Sequence, residues 1–158
     1  MENKKRNLCR DEPPPPHLVG QRFVYATGLR YSELGRLRAK DIHQEPDGQV
    51  WLEVAGWSDT PTRKVPVLAG YEAEVLEMTA NPYIFGNFQL YPTHYGMQSL
   101  RRAYARQLYQ QCLKTLEAAD AVSTVMVALG HQRRQVVLRD YLRLDGTLSD
   151  NDPEEEAV

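Results

Sequence analysis

The chain has 158 residues, a length for one domain with a real hydrophobic core. Hydrophobic content of 42% and charged content of 25% are those of a globular protein, and no apolar run is long enough for a membrane-spanning helix. A formal net charge of -2 excludes a uniformly basic nucleic-acid binder, so any role of that kind has to rest on how charge is distributed.

Met1-Glu2-Asn3-Lys4-Lys5-Arg6 has no apolar segment behind it, so it is not a secretory signal. Cys9 and Cys112 are the only cysteines and lack metal-ligand spacing, which points to a reduced, cytoplasmic setting. Residues 1–16 end in Pro13-Pro14-Pro15-Pro16, which excludes helix there and predicts a disordered or extended stub. A helix is expected over His17–Ala26, and Gly28 supplies the backbone freedom to stop it. Ser32 is a weak N-cap for a second helix reaching about Ala39, with Leu34 and Leu37 on one apolar face. Arg30 therefore falls at a tight helix-to-helix corner, where a long cation can point into a cleft as half of a phosphate clamp. An ordinary surface arginine beside a turn is the competing reading.

Gln49–Ala55 and Arg63–Val67 read as two short strands, with Pro66 marking an end or an edge position. Gly56–Thr62 between them is rich in Gly, Ser, Asp and Pro and reads as the turn of a hairpin. Gly70–Ala80 is an amphipathic helix stopped by Asn81-Pro82. Tyr83–Met97 is aromatic-rich and reads as an ordered loop packed on the core. The longest helix is expected over Gln98–Ala119, where Leu100, Ala103, Tyr104, Gln107, Leu108 and Gln111 recur at helical spacing. A short apolar helix, Ala121–Leu129, closes at Gly130, and a last helix over Gln132–Leu144 carries Tyr141. No internal repeat is present.

Between Ser99 and Arg143 eight Lys or Arg residues stand against three acids. Beyond them, residues 145–158 carry Asp145, Asp150, Asp152, Glu154, Glu155 and Glu156 and no base. A basic block followed by an acidic tail suits a phosphate-facing surface with a solvated extension.

Four short boxes then stand out in order: Ala26-Thr27-Gly28-Leu29-Arg30-Tyr31-Ser32-Glu33-Leu34, Gln98-Ser99-Leu100-Arg101-Arg102-Ala103-Tyr104-Ala105, Leu129-Gly130-His131, and Tyr141. Together they resemble the Arg, His-x-x-Arg, Gly-His and Tyr boxes of the catalytic domain of tyrosine recombinases, the phage-type integrases. The resemblance covers residues 17–144. It implies a mainly α fold with a small antiparallel β-hairpin or sheet, and site-specific DNA recombination or integration through a 3'-phosphotyrosine. It also implies double-stranded DNA as partner, four protomers associating on it, no membrane, no cofactor and no metal. Such a protein would be cytoplasmic and nucleoid-associated when bound to DNA. The family commonly carries a separate DNA-gripping helical domain upstream, for which the residues before His17 leave no room. A catalytic domain alone, or a truncated element, is therefore expected.

Carried over position by position, the resemblance makes Tyr141 the nucleophile and Arg30 and Arg101 the two phosphate clamps, with Arg102 competing for the second place. His131 becomes a phosphate-contacting or proton-relaying residue, although a histidine capping a helix end is a common alternative. Arg102, Arg133 and Arg134 join the DNA-facing basic set. Arginine suits the clamp because its planar fork gives two parallel hydrogen bonds and keeps its charge. Two departures stand beside these matches. Gln98 replaces the first residue of the His-x-x-Arg box, and a glutamine can donate a hydrogen bond but not shuttle a proton. The hairpin lysine that serves the family as general acid is missing from its turn, leaving Lys64 on the returning strand as substitute. A DNA-binding remnant or regulator with weak or no cleavage activity is accordingly the alternative, a topoisomerase-like relaxing enzyme a further one, and a plain helical domain the last.

Overall fold

The structure, a computed structural model, describes residues 12–56, 61–93, 96–130 and 133–142. Helix α1 is Val19–Thr27 and buries Phe23, Val24, Ala26 and Thr27. Its start is fixed from the proline side: the Leu18 N–H donates to the Pro15 carbonyl at 3.0 Å, and Arg22 Nη1 to that of Pro14 at 2.6 Å. It stops at Gly28, whose φ of 69° lies in the left-handed region that glycine tolerates. A short helix α2, Tyr31–Leu34, follows. Ser32 lies inside it and is not its cap; Arg30 holds that place, and the Glu33 carboxylate accepts the Arg30 backbone N–H at 2.8 Å.

Strands β1 (Ile42–Gln44), β2 (Val50–Val54) and β3 (Arg63–Pro66) form an antiparallel sheet in the order β1-β2-β3. The hairpin expected over 49–67 has the register Leu52↔Val65 and Val54↔Arg63, and Pro66 ends an edge strand. Residues 57–60 of its turn lie outside the described residues. β1 was not expected. Two half-buried residues and an exposed one, Ile-His-Gln, carry too little alternation to announce a strand, and pairing with β2 is what makes them one.

Helix α3, Glu72–Glu77, buries Val75 and tightens into a 3₁₀ turn over Met78–Ala80 before the Asn81-Pro82 stop. The aromatic-rich stretch after it does pack on the core through the buried Ile84 and Phe85. Helix α4, Met97–Cys112, is shorter than the expected 98–119. Residues 113–117 form a turn in which Leu113 and Leu116 stay exposed, and a separate helix α5 runs over Ala118–Leu129. Without a glycine or proline at 113–117 the sequence marks no stop there, and the break between the two helices was expected near residue 120 instead. Where the last helix was expected, α6, Arg134–Val136, passes directly into a π-helical turn over Val137–Leu142, and residues 143 and 144 lie outside the described residues.

Helix α4 is the centre of the packing, touching α1, α5 and the π turn. Tyr104 is fully buried on it, and its hydroxyl donates to the Pro66 carbonyl at 2.6 Å, tying α4 to β3. Burial pushes that phenol well above its ordinary range, so it stays a neutral donor. The same ring packs against the backbone of Gly28 so closely that a Cβ there would overlap it. Gly28→Ala therefore combines a left-handed backbone with an overfilled core, and is expected to lower stability by about 3 kcal/mol. Urea unfolding measures it, and an unchanged midpoint would contradict the packing described.

Candidate functional site

Arg101 lies one turn before Tyr104 and Ala105 on the buried face of α4 and is only 5% exposed. A guanidinium so deep needs acceptors, and three elements supply them. Nε donates to the Gly28 carbonyl at 2.8 Å, Nη2 to that of Leu129 at 2.9 Å, and Nη1 to the Tyr141 hydroxyl oxygen at 3.1 Å. Gly28 caps the C-terminus of α1, and Leu129 is the last residue of α5. Both carbonyls lack helical partners and sit at the negative ends of helix dipoles, where a cation is stabilised. Burial lowers the pKa of Arg101 to about 10; Tyr141 and Glu33 resist that shift, while the charges of Arg30 and Arg63 add to it. The group still carries its proton at neutral pH.

Tyr141 sits in the π turn, 2% exposed, with its ring against the Arg101 guanidinium. Its oxygen also accepts from Gln98 Nε2 at 2.7 Å. Two arginines of α4 anchor the segment from behind. Arg102 Nε donates to the Asp140 carbonyl and Arg106 Nη1 to the Tyr141 carbonyl, each at 3.1 Å. Arg102 and Arg106 thus hold the last carbonyls of the π turn, which have no partner within the helix. Of the two competing arginines, Arg101 is thus the one at the phenol, and Arg102 holds the backbone behind it.

Arg30 comes to the same place from the α1–α2 corner. Its Nη1 is 3.5 Å from Glu33 Oε2, and its side chain stays 37% exposed, so it is the open member of the group. Glu33 and Arg63 were missed in sequence. Arg63 reaches in from β3, giving Nη1 to Glu33 Oε2 at 2.7 Å, Nη2 to Oε1 at 3.0 Å and Nε to the Ala128 carbonyl at 2.9 Å. A Cβ on Gly130 would stand 3.2 Å from Arg63 Nη1 and 3.3 Å from Arg30 Nη1, so the turn after α5 fits between the two cations. The signal for Arg63 was available, because it shares the inward face of β3 with the buried Val65.

Lys64, by the same alternation, points the other way. Its Nζ lies 4.5 Å from the centre of the Trp51 ring on the outer face of the sheet, and Trp51 stacks on His43. The structure does not bring Lys64 to the phenol. Arg134 donates to Ser123 Oγ and to the Ala119 carbonyl, which makes it a brace for α5. Arg133 is half-buried beside α6. His131 lies outside the described residues, as do His94 and the 145–158 tail. Among the described residues no cluster of His, Cys, Asp or Glu could hold a metal, and no helix is long and apolar enough to cross a membrane.

Compared with known proteins, the chain matches no family model and no curated sequence.

Arg30, Arg63 and Glu33 thus gather about Arg101, which holds the Tyr141 phenol, and three guanidinium groups against one carboxylate leave two positive charges in excess. Low dielectric makes such an excess a site for an anion. Burial alone pushes the Glu33 carboxyl up, but the Arg63 fork and charge, with the backbone N–H and charge of Arg30, outweigh it and hold it below 4.5. A carboxyl depressed on folding stabilises the fold above its unfolded value, and that contribution disappears as pH falls through the folded one. Glu33→Gln is expected to cost about 3 kcal/mol at neutral pH by stranding Arg63. Wild-type protein should then lose more melting temperature than the variant as pH falls below about 4.5. Parallel pH profiles would contradict the pairing.

Proposed function

We propose that the chain is a tyrosine-recombinase catalytic domain, which cuts and rejoins double-stranded DNA for site-specific recombination or integration. The observation that carries this reading is the meeting of Arg30, Arg101 and Tyr141, distant in sequence, at one electropositive point, in the order in which the resemblance arranges them.

In the reaction, a scissile phosphate enters beside Arg101 and Arg30, whose N–H groups bind its two non-bridging oxygens. Tyr141 Oη gives up its proton and attacks phosphorus. The new bond is a 3'-phosphotyrosine, the bond that breaks is to the 5' oxygen, and that oxygen leaves as a hydroxyl after taking a proton. A 5' hydroxyl from the partner duplex then reverses the step, so one phosphoester is exchanged for another and no external energy is needed. Negative charge grows on the phosphate oxygens in the transition state, and the arginines act chiefly there. The phenol first has to turn out from between Gln98 and Arg101, which frees an Arg101 donor for the phosphate. Four protomers on two duplexes are the working assembly in this reading.

A second reading, a DNA-binding remnant or regulator, draws support from the same site. The phenol is buried, and Lys64 on the hairpin lies over Trp51.

A duplex nicked next to the cleavage point, so that the short 5' fragment diffuses away, separates the two readings. The enzyme reading predicts a covalent protein–DNA adduct that Tyr141→Phe abolishes and Arg101→Ala or Arg30→Ala slows by roughly 100-fold or more. Specific DNA binding without any adduct, over a range of target sequences, supports the remnant.

A further inference from the structure

Arg63 has no part in the mechanism above, yet it is built into the site as firmly as Arg101. Its guanidinium makes three charge-assisted or carbonyl-directed bonds, two to Glu33 and one to Ala128. With Nη1 and Nη2 both committed to the Glu33 carboxylate, it is less free to grip a phosphate than Arg101, one of whose donors rests on a phenol. What it does control is Glu33, which is 4% exposed and has two cations within reach. Both address the same oxygen: Arg63 Nη1 lies 2.7 Å from Oε2, and Arg30 Nη1 lies 3.5 Å from it. The nearer cation has the hydrogen bond; the farther one has only attraction.

We propose that Arg63 is a positioning residue, occupying the Glu33 carboxylate so that the Arg30 guanidinium stays turned towards an incoming phosphate. Without Arg63, a buried carboxylate would be left unpaired, and the nearest remedy is for Arg30 to close the remaining gap and pair with it. Arg30 would then be neutralised just where its charge is needed. The pairing also keeps β3 registered on the C-terminus of α5, because Ala128 precedes the Leu129 carbonyl that holds Arg101. The inference rests on the phosphate-binding reading of the site, but not on cleavage.

That mechanism has a signature that a purely structural role lacks. If the harm in Arg63→Gln comes from Glu33 capturing Arg30, removing the charge of Glu33 as well should relieve it. The experiment follows the side-chain Nε–H signals of Arg30 and Arg101 by nuclear magnetic resonance during titration of the whole chain with inorganic phosphate. Melting temperatures confirm that each variant is folded. Wild-type Arg30 is expected to respond. Arg63→Gln should weaken the phosphate affinity seen at Arg30 by about tenfold, and Arg63→Gln combined with Glu33→Gln should recover most of it. Should Arg63→Gln fail to fold, Arg63→Lys replaces it: a single ammonium cannot span both carboxylate oxygens, so an intermediate loss is expected. Unchanged phosphate affinity in the single variant, a double variant no better than the single one, or a wild-type Arg30 that ignores phosphate each overturns the proposal. A wild type that binds phosphate at Arg30 yet forms no DNA adduct removes the cleavage reading and leaves Arg63 in place. A DNA adduct forming at the wild-type rate in Arg63→Gln does the reverse.

Discussion

A buried guanidinium held between two helix ends organises this molecule. Arg101 is almost out of reach of water, and its positive charge is tolerated because the C-terminal carbonyls of α1 and α5 converge on it. Each carbonyl lacks a helical partner and carries the negative end of a dipole, so the two helix ends and the arginine solve each other's problem. The geometry is demanding: α1 has to stop at Gly28, α5 has to stop at Gly130, and the phenol of Tyr141 has to supply the third acceptor. Moving any of these would leave a buried charge short of partners, a cost of several kcal/mol.

The remaining electrostatics follow from that first placement. Arg30 and Arg63 approach a cation that is already buried, and both lower its pKa. Three like charges at close quarters are tolerable only with a counter-charge among them, and Glu33 supplies it through two hydrogen bonds to Arg63 and one to the backbone of Arg30. One carboxylate does not balance three cations. The excess favours an anion, which the proposed function takes to be a phosphate, and Arg30 is the exposed member of the group. Tyr141 is held in the same network at both ends, its oxygen by Gln98 and Arg101 and its carbonyl by Arg106. In the proposed reaction, Arg101 would exchange the phenol oxygen for a phosphate oxygen as Tyr141 is released.

Most of the helices and the β2–β3 hairpin could be read from periodicity and turn chemistry, because apolar spacing and glycine stops report local geometry directly. The Gly28 stop is an example, and so is the buried face of α4. What failed had non-local causes. β1 exists because β2 pairs with it, and the last carbonyls of the π turn are held by arginines on another helix. Within the site, Arg101 was picked out by its box, although its phase with Tyr104 and Leu108 already marked an arginine on an apolar face. Lys64 was chosen for its residue type, and strand alternation would have chosen Arg63. Glu33 stood three residues from Arg30 in plain view, but its value lies in an ion pair with a strand thirty residues away, and one-dimensional reading has no access to that.

The proposed reaction requires Arg30 and Arg101 to face a single phosphate next to Tyr141. A crystal structure of the chain bound to a duplex carrying a non-cleavable phosphodiester analogue addresses this directly. It should show phosphate oxygens about 3 Å from the guanidinium nitrogens of both arginines, with the Tyr141 hydroxyl turned away from Gln98 towards phosphorus. A duplex seated on another face, with Arg101 still bonded to Tyr141 and no phosphate beside Arg30, would contradict it.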